Sequence, residues 1–244
     1  MRLPEPFYHA GEHVGIDLPG ARAVFTTRRG GFSTGRYASL NLGHPGAFTD
    51  DRPNALRRNR ESLEEALAVR FASAQQVHGV KVATADWRSQ PCEADGLATA
   101  VPGLAPMVLS ADCLPIALAG QGAVAMLHAG WRGLVAGVVR EGVGALRGLG
   151  AGGPFAAAIG PGAGPCCYEV GEEVRAAFSS CSGALAGGRR LDLKAAARET
   201  LALAGVTCVY DVGLCTICSD PSLFFSHRRD GGVTGRQAGI AWRR

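Results

Sequence analysis

Three side chains with the chemistry of metal ligands lie beside apolar segments of this sequence. Cys113 and His128 each follow a short apolar run, and His78 stands before a glycine in a third apolar segment. Short apolar runs bounded by turn residues predict buried strands, and functional residues concentrate where such strands meet loops. The sequence therefore predicts an active site around Met107–Gly133, the stretch that contains two of the three residues.

These residue types support more than one chemistry, and their spacing matches no compact zinc motif. His78, Cys113 and His128 suit a catalytic zinc ion with three protein ligands and an open fourth position, which lowers the pKa of bound water to about 7. The metal-free alternative is a Cys113 nucleophile activated by either histidine, with Asp112 or Asp95 orienting the imidazole. A buried thiol with two structural histidines is the third interpretation, and the residues alone leave all three open.

Cationic side chains also fall near predicted strand ends. Arg28 precedes two glycines, Arg228 follows an apolar run, and Arg132 begins a predicted helix. Arginine binds phosphate in a bidentate manner, and a helix N-terminus favours an anion. Asn41 lies in a short apolar segment, either as a turn residue or as a hydrogen-bonding partner of a ligand.

Four further cysteines form two sequence pairs. Cys215 and Cys218 have CxxC spacing, but no second CxxC completes a zinc ribbon. Cys166 and Cys167 are adjacent, and neighbouring side chains seldom share a metal. We interpret Cys166 and Cys167 as mostly structural, regard the single CxxC as a weak metal signal, and predict that all four cysteines are dispensable for catalysis.

Strands and helices mix along the whole chain, which predicts an α/β fold. Asp51 before Pro53 predicts one helix start, and Asp192 predicts the N-cap of another. Further predicted strands are Ala21–Thr27, Phe71–Val82, Ala94–Thr99, Phe155–Ile159 and Val206–Val212. The predicted helices are Asn54–Val69, Arg132–Leu149, Glu169–Ser179 and Leu191–Ala204.

Length and composition restrict the class of protein. The 244 residues are 47% hydrophobic, which permits a substantial core and excludes disorder for most of the chain. No repeat or linker divides them, so we predict a single domain over residues 1–244. The charge of +4 is too small to indicate nucleic-acid binding. The chain opens without an apolar signal segment and has no membrane-length apolar run, so we expect a cytoplasmic protein with reduced cysteines.

Long motifs in a fixed order carry a family resemblance over Ala21 to Trp242. They are TTRRGGFS, SLNLG, QQVHG, ADG, ADCLPI, HAGWRG, IGPGAGPCCYEVG and FFSHRRDGGVTGRQAGIAW. The chain resembles proteins long labelled multicopper polyphenol oxidoreductases or laccase-domain proteins, and now described as purine nucleoside phosphorylases with adenosine deaminase activity. The resemblance implies a layered α/β/β/α domain with mixed sheets, related to bacterial cysteine-dependent toxin deamidases. It also implies zinc held by His78, Cys113 and His128, which would be the catalytic residues.

The activity implied by this resemblance has two parts. Phosphorolysis of adenosine, inosine or methylthioadenosine would give the base and a ribose 1-phosphate, and hydrolysis would convert adenosine to inosine. Arg28, Arg132 and Arg228 are our candidates for the phosphate site, with Asn41 for the ribose or base. The expected partners are purine nucleosides and phosphate, with neither nucleic acid nor membrane, in a monomer or small homo-oligomer.

Three other functions remain as alternatives. The family has also been labelled a peptidoglycan editing factor, which would make the protein a cysteine amidohydrolase acting through Cys113 and His128. A copper polyphenol oxidase needs many histidines, and the six present contain no HxH pair, so copper is disfavoured. A zinc-stabilised binding module would need a fourth protein ligand.

Overall fold

A computed structural model describes residues 1–44, 49–181 and 183–244. In these ranges the strands form two six-stranded mixed sheets. The strands in chain order are β1 (Tyr8–Ala10), β2 (His13–Leu18), β3 (Ala21–Phe25), β4 (Arg70–Ala72), β5 (Val82–Thr84), β6 (Gly96–Thr99), β7 (Leu104–Ser110), β8 (Leu114–Gln121), β9 (Ala123–Ala129), β10 (Gly152–Ile159), β11 (Val206–Asp211) and β12 (Gln237–Arg243).

The two sheets pack face to face. The first has the order β1-β2-β3-β12-β7-β4, and the second has the order β11-β10-β8-β9-β6-β5. Small and apolar side chains such as Phe25, Val108, Ala117 and Met126 fill the space between them. Burial of this apolar area is the main contribution to the stability of the sandwich.

Helices cover the outer face of each sheet. They are α1 (Pro53–Leu67), α2 (Trp131–Ala136), α3 (Val138–Gly148), α4 (Glu172–Ala177) and α5 (Leu193–Leu203). Leu63 of α1 packs with residues of β7 and β12, whereas α2, α3 and α5 pack against the second sheet. The predicted α/β/β/α layers are therefore confirmed. The relation to toxin deamidases and the single domain over residues 1–244 stay predictions.

The strands at the centre are buried on both faces, which explains their continuous apolar sequences. Every residue of β7 and β9 is buried, as is β8 up to its last residue. Strands β8 and β9 form an antiparallel hairpin with Pro115 opposite His128. This register places Cys113, immediately before β8, beside the end of β9.

Several predicted boundaries differ from the structure. The helix predicted over Arg132–Leu149 is two helices, because Gly137 adopts a φ of 101° between α2 and α3. Asp51 is not the cap of α1, since Arg52 occupies that position without a side-chain cap. The predicted cap Asp192 is confirmed, and its carboxylate accepts hydrogen bonds from Lys194 N and Ala195 N at 3.0 Å.

Two other differences concern strands and membrane segments. Phe71–Val82 is largely a loop between β4 and β5, and this loop carries His78. Strands β1 and β2 have no predicted counterpart. Within the described ranges, none of the helices has the length and apolar character needed to cross a bilayer.

Candidate active site

The three residues selected for their chemistry meet at one place. One ligand atom each from His78, Cys113 and His128 lies within 4.8 Å of the others. The two imidazole rings meet edge to face, with centroids 4.9 Å apart and planes inclined by 77°. His128 is buried, Cys113 is half-buried and His78 is exposed, so the group opens towards solvent on one side.

Strand pairing explains this convergence of residues that are distant in sequence. The β8–β9 hairpin holds Cys113 close to His128, and β6 pairs with the other edge of β9. Asp95, the residue before β6, accepts a backbone hydrogen bond from His128 N at 2.7 Å. The loop that carries His78 closes over this end of the sheet.

Asp95 fixes both histidines. Its carboxylate accepts backbone hydrogen bonds from Val77 at 3.1 Å, His78 at 2.9 Å and Gly79 at 2.6 Å. Its Oδ1 also lies 2.8 Å from His128 Nδ1, which leaves Nε2 of that ring for the site. These bonds hold His78 at a φ of 60°, a left-handed conformation that non-glycine residues seldom adopt. In histidine metal sites a carboxylate typically contacts the ring nitrogen that faces away from the metal, and Asp95 occupies that position relative to His128.

Asp112, the other carboxylate predicted to orient a histidine, accepts hydrogen bonds from two loops. Its Oδ1 accepts a hydrogen bond from Thr216 Oγ1 at 2.6 Å, and its Oδ2 accepts one from Arg228 N at 2.7 Å. Asp112 therefore joins two distant loops beside Cys113, and Asp95 is the carboxylate that orients His128.

The Cys113 thiol and the buried His128 imidazole shift each other's pKa values. Burial opposes ionisation of Cys113, but the adjacent imidazole of His128 outweighs it and lowers the pKa of the thiol to about 6. Burial likewise opposes protonation of His128, but Cys113 and the carboxylate of Asp95 raise the pKa of the imidazole to about 9. Without a metal, the pair is therefore mainly thiolate and imidazolium near neutral pH.

The same donors suit a metal ion. Two imidazole nitrogens and one thiolate sulfur match the ligand types of zinc, and a three-ligand set leaves a coordination position for water or substrate. Nitrogen and sulfur donors also bind copper, so the donor types alone do not identify the metal.

A pocket of about 310 Å³ lies over the three donors. This volume is at the lower end of the roughly 300–1,000 Å³ range of small-molecule sites. Aromatic, polar and cationic side chains surround the donors, namely Gln76, Trp131, Arg132, Tyr168, His227, Arg228 and Arg236.

Two of the three arginines proposed from the sequence line this pocket. The guanidinium of Arg132 lies 4.4 Å from the Trp131 ring, and that of Arg228 lies 5.1 Å from the Tyr168 ring. Arg228 Nη1 also donates to Glu169 O at 2.7 Å. Arg236 is a third cation in the wall. The sequence does not predict this role, although Arg236 stands within the long C-terminal motif.

Arg28 and Asn41 lie outside this pocket. The guanidinium of Arg28 donates to the carbonyls of Ala38 at 2.6 Å and Pro221 at 3.0 Å, which ties two loops together. Asn41 is fully buried, and its Oδ1 accepts a hydrogen bond from Arg236 N at 2.9 Å. In this structure both residues support the loops around the site, and the substrate contacts predicted for them from the sequence stay a prediction.

Comparison with known proteins identifies the family to which this chain belongs. The chain belongs to the family described as multi-copper polyphenol oxidoreductase laccase, whose match covers residues 22–244. The family resemblance inferred from the motifs is therefore confirmed.

Particular relatives carry a different name. A protein of Pseudomonas aeruginosa, "Purine nucleoside phosphorylase PA4543", is 41% identical over 91% of this chain and 93% of its own length. The crystal structure of YlmD from Geobacillus stearothermophilus superposes with a TM-score of 0.87 and 33% identity, covering 99% of this chain and 100% of that one. Neisseria meningitidis NMB0706 gives a TM-score of 0.83 at 34% identity, covering 96% and 99%.

Proposed function

We propose that this chain is a zinc-dependent purine nucleoside phosphorylase that also deaminates adenosine. The observation that carries the proposal is the convergence of three metal donors and several arginines in one pocket of small-molecule size. The names of relatives at about 40% identity support the phosphorylase activity. Adenosine, inosine and methylthioadenosine are the proposed substrates.

Phosphorolysis requires a phosphate oxygen to attack C1′ of the ribose while the bond to the purine breaks. The entering anion must be balanced by positive charge in a partly desolvated pocket. Arg132 and Arg228 supply that charge from the pocket wall. Trp131 and Tyr168 offer aromatic faces on which the purine could stack.

Deamination replaces the amino group at C6 of adenosine by the oxygen of water and releases ammonia. A zinc ion on the three donors would supply hydroxide at neutral pH. The protein's own residues position the donors in this reaction. Asp95 orients the His128 ring and holds the loop that carries His78. Both reactions therefore use the same pocket with different nucleophiles.

A nucleoside panel with and without phosphate tests this function. Each nucleoside is incubated with purified protein, and base, ribose 1-phosphate and ammonia are quantified by chromatography. We expect base and ribose 1-phosphate to form only with phosphate, and ammonia to form from adenosine without it. Absence of both products with metal-loaded protein would overturn the proposal.

Arg132→Ala is expected to weaken phosphate binding selectively. The exposed guanidinium of Arg132 lies against the Trp131 ring and, among the described residues, makes no hydrogen bond or ion pair, so it is available to an anion. Loss of a charged hydrogen bond should raise the KM for phosphate by roughly 10-fold or more. Adenosine deamination, which needs water in place of phosphate, should be spared. The short helix α2 adds little dipole, so the effect comes from the side chain.

The matched control is Arg140→Ala on α3, where the guanidinium pairs with Glu141 at 3.4 Å and lies outside the pocket. It should leave both reactions unchanged. If Arg132→Ala reduces phosphorolysis and deamination equally, Arg132 binds nucleoside or supports folding, and Arg228 becomes the principal phosphate candidate.

A cysteine amidohydrolase acting on peptidoglycan precursors is the second candidate, favoured by the alignment of Cys113, His128 and Asp95. The Cys113 thiolate would attack an amide carbonyl to form a thioester, His128 would protonate the departing amine, and water would release the acid. Chelator-treated protein separates the two functions. An amidohydrolase keeps its activity towards peptide amides after metal removal, whereas the proposed deaminase loses its activity towards adenosine.

Polyphenol oxidation by several copper ions has less support in the donor set. Among the described residues, His78 and His128 are the only histidines that belong to a group of potential metal ligands. Multicopper chemistry needs more imidazoles than this. A zinc-stabilised binding module would need a fourth donor beside the three that meet here.

A further inference from the structure

Four cysteines that the sequence separates into two pairs meet in the structure. The Sγ atoms of Cys166, Cys167, Cys215 and Cys218 all lie within 4.8 Å of one another, and we call this group the four-cysteine cluster. The sequence contains no second CxxC to partner Cys215 and Cys218. The folded chain provides the adjacent pair Cys166 and Cys167 in its place.

Backbone contacts between two loops build this cluster. The loop after β10 and the loop after β11 form a parallel bridge at Gly162 and Cys215. Gly164 N donates to Cys215 Sγ at 3.2 Å, and Thr216 N donates to Gly162 O at 3.1 Å. A Cβ at Gly164 would lie 3.2 Å from the Cys215 Cβ, tighter than most such contacts, so glycine favours this close approach.

The sulfur separations fit a metal site better than a pair of disulfides. The Sγ atoms of Cys166 and Cys218 are 3.4 Å apart, far beyond the roughly 2.05 Å of a bonded pair, and all four cysteines are free thiols. A tetrahedral zinc ion with Zn–S bonds of about 2.3 Å places its sulfurs roughly 3.8 Å from one another. The four sulfurs all lie within 4.8 Å of one another, close enough for a single ion to contact all of them after small side-chain adjustments.

A backbone hydrogen-bond donor faces one of the four sulfurs. The N–H of Gly164 points at the Cys215 sulfur, as expected of a thiolate acceptor. Four thiolates this close would repel one another, and a divalent cation bound between them would balance their charge.

We propose that the four-cysteine cluster is a structural zinc site, separate from the three donors of the candidate active site. Four thiolates complete the tetrahedron and leave no open position, which is the mark of a structural zinc. The four thiols release their protons to solvent as the ion binds.

The proposed ion would join two loops that also reach the candidate active site. Thr216, inside the CxxC segment, donates to Asp112 beside Cys113. Tyr168, directly after Cys167, lines the pocket and lies against Arg228. Loss of the ion should therefore loosen the pocket wall and raise KM more than it lowers kcat.

Metal analysis of purified full-length variants tests the proposal independently of activity. Protein expressed with zinc should contain about two ions per chain, as two separate sites require. Cys113→Ala should retain the ion of the cluster, and Cys218→Ser should lose it. Cys92→Ser, a change of thiol outside both groups, should lose neither. Cys218→His restores a zinc ligand and should regain the ion if Cys218→Ser folds poorly.

Cobalt substitution in the Cys113→Ala variant identifies the ligands. We expect the intense visible bands of cobalt bound by four thiolates in a tetrahedron, and their loss in Cys113→Ala combined with Cys218→Ser. The proposal is overturned if Cys113→Ala protein takes up neither zinc nor cobalt. It is also overturned if native alkylation and mass spectrometry show a Cys166–Cys218 disulfide in protein kept under reducing conditions.

Discussion

Cys113→Ala is expected to remove about one metal ion per chain and to lower kcat for adenosine deamination by roughly 10³-fold or more. The reason is geometric: among the residues that the structure describes, three donors meet at the candidate active site, so loss of the sulfur leaves two imidazoles. Such a pair binds zinc much more weakly, and hydroxide is no longer supplied at neutral pH. Elemental analysis and steady-state ammonia release measure the two effects on the same sample.

Two comparisons make this result specific. His128→Ala should act in the same way, because it removes another of the three donors, whereas Cys92→Ser should retain full metal and turnover. The assignment of the active-site metal fails if Cys113→Ala, His78→Ala and His128→Ala all keep the zinc of the parent protein. Because the four-cysteine cluster has different ligands, its ion should persist in all three variants.

The fold follows from sequence features that act locally. Continuous apolar runs predict the buried strands β7, β9 and β10, and the Asp192 cap predicts the start of α5. Gly137 divides a predicted helix because its left-handed φ is not visible in a periodic apolar pattern. Strand β1 is short and half-exposed, so it lacks the apolar signal on which strand prediction depends.

Site residues can be predicted from the sequence when their side-chain type alone indicates their chemistry. They cannot be predicted when their role depends on contacts between segments that are distant in sequence. The metal-binding chemistry of imidazole and thiolate predicts a role for His78, Cys113 and His128. The β8–β9 register then brings Cys113 to His128, and Asp95 holds the loop that carries His78 beside them. Arg28 shows the converse, since its charge suggests an anion site while its guanidinium holds carbonyls of distant loops.

The four-cysteine cluster could not be predicted from the sequence, because it too depends on contacts between distant segments. Its two halves lie on separate loops, and the bridge between Gly162 and Cys215 that aligns them is a tertiary contact. Nothing in the spacing of Cys166 and Cys167 indicates a partner in the CxxC segment. The place of Arg236 in the pocket is likewise not predictable from the sequence. Its backbone N–H is held by the side chain of Asn41, which is remote in sequence.

Asp95→Asn is expected to weaken metal binding by about 10–100-fold, the usual effect of losing a carboxylate that orients a histidine ligand. The buried Asp95 carboxylate accepts three backbone N–H groups besides its contact with His128. An asparagine of the same size accepts through one oxygen only, so its amide opposes some of these donors. Zinc affinity measured against a competing chelator tests this effect.

The same substitution should change the titration of Cys113 in metal-free protein, in a direction that a merely structural role of Asp95 does not predict. The carboxylate helps to raise the pKa of His128 to about 9, and protonated His128 lowers that of Cys113 to about 6. Removing the negative charge lowers the first pKa, so His128 loses its proton at a lower pH. The thiolate then loses its neighbouring cation, and the pKa of Cys113 rises.

Alkylation of Cys113 with iodoacetamide, followed by peptide mass spectrometry from pH 5 to 10, should therefore show a midpoint near pH 6 in the parent protein. In Asp95→Asn the midpoint should move upward, and the rate at pH 7 should fall because thiolate is the reacting form. Glu93→Gln removes an exposed carboxylate two positions away and should leave the midpoint unchanged. An unchanged midpoint in folded Asp95→Asn would show that Asp95 supports the His78 loop without setting the charge of the Cys113–His128 pair.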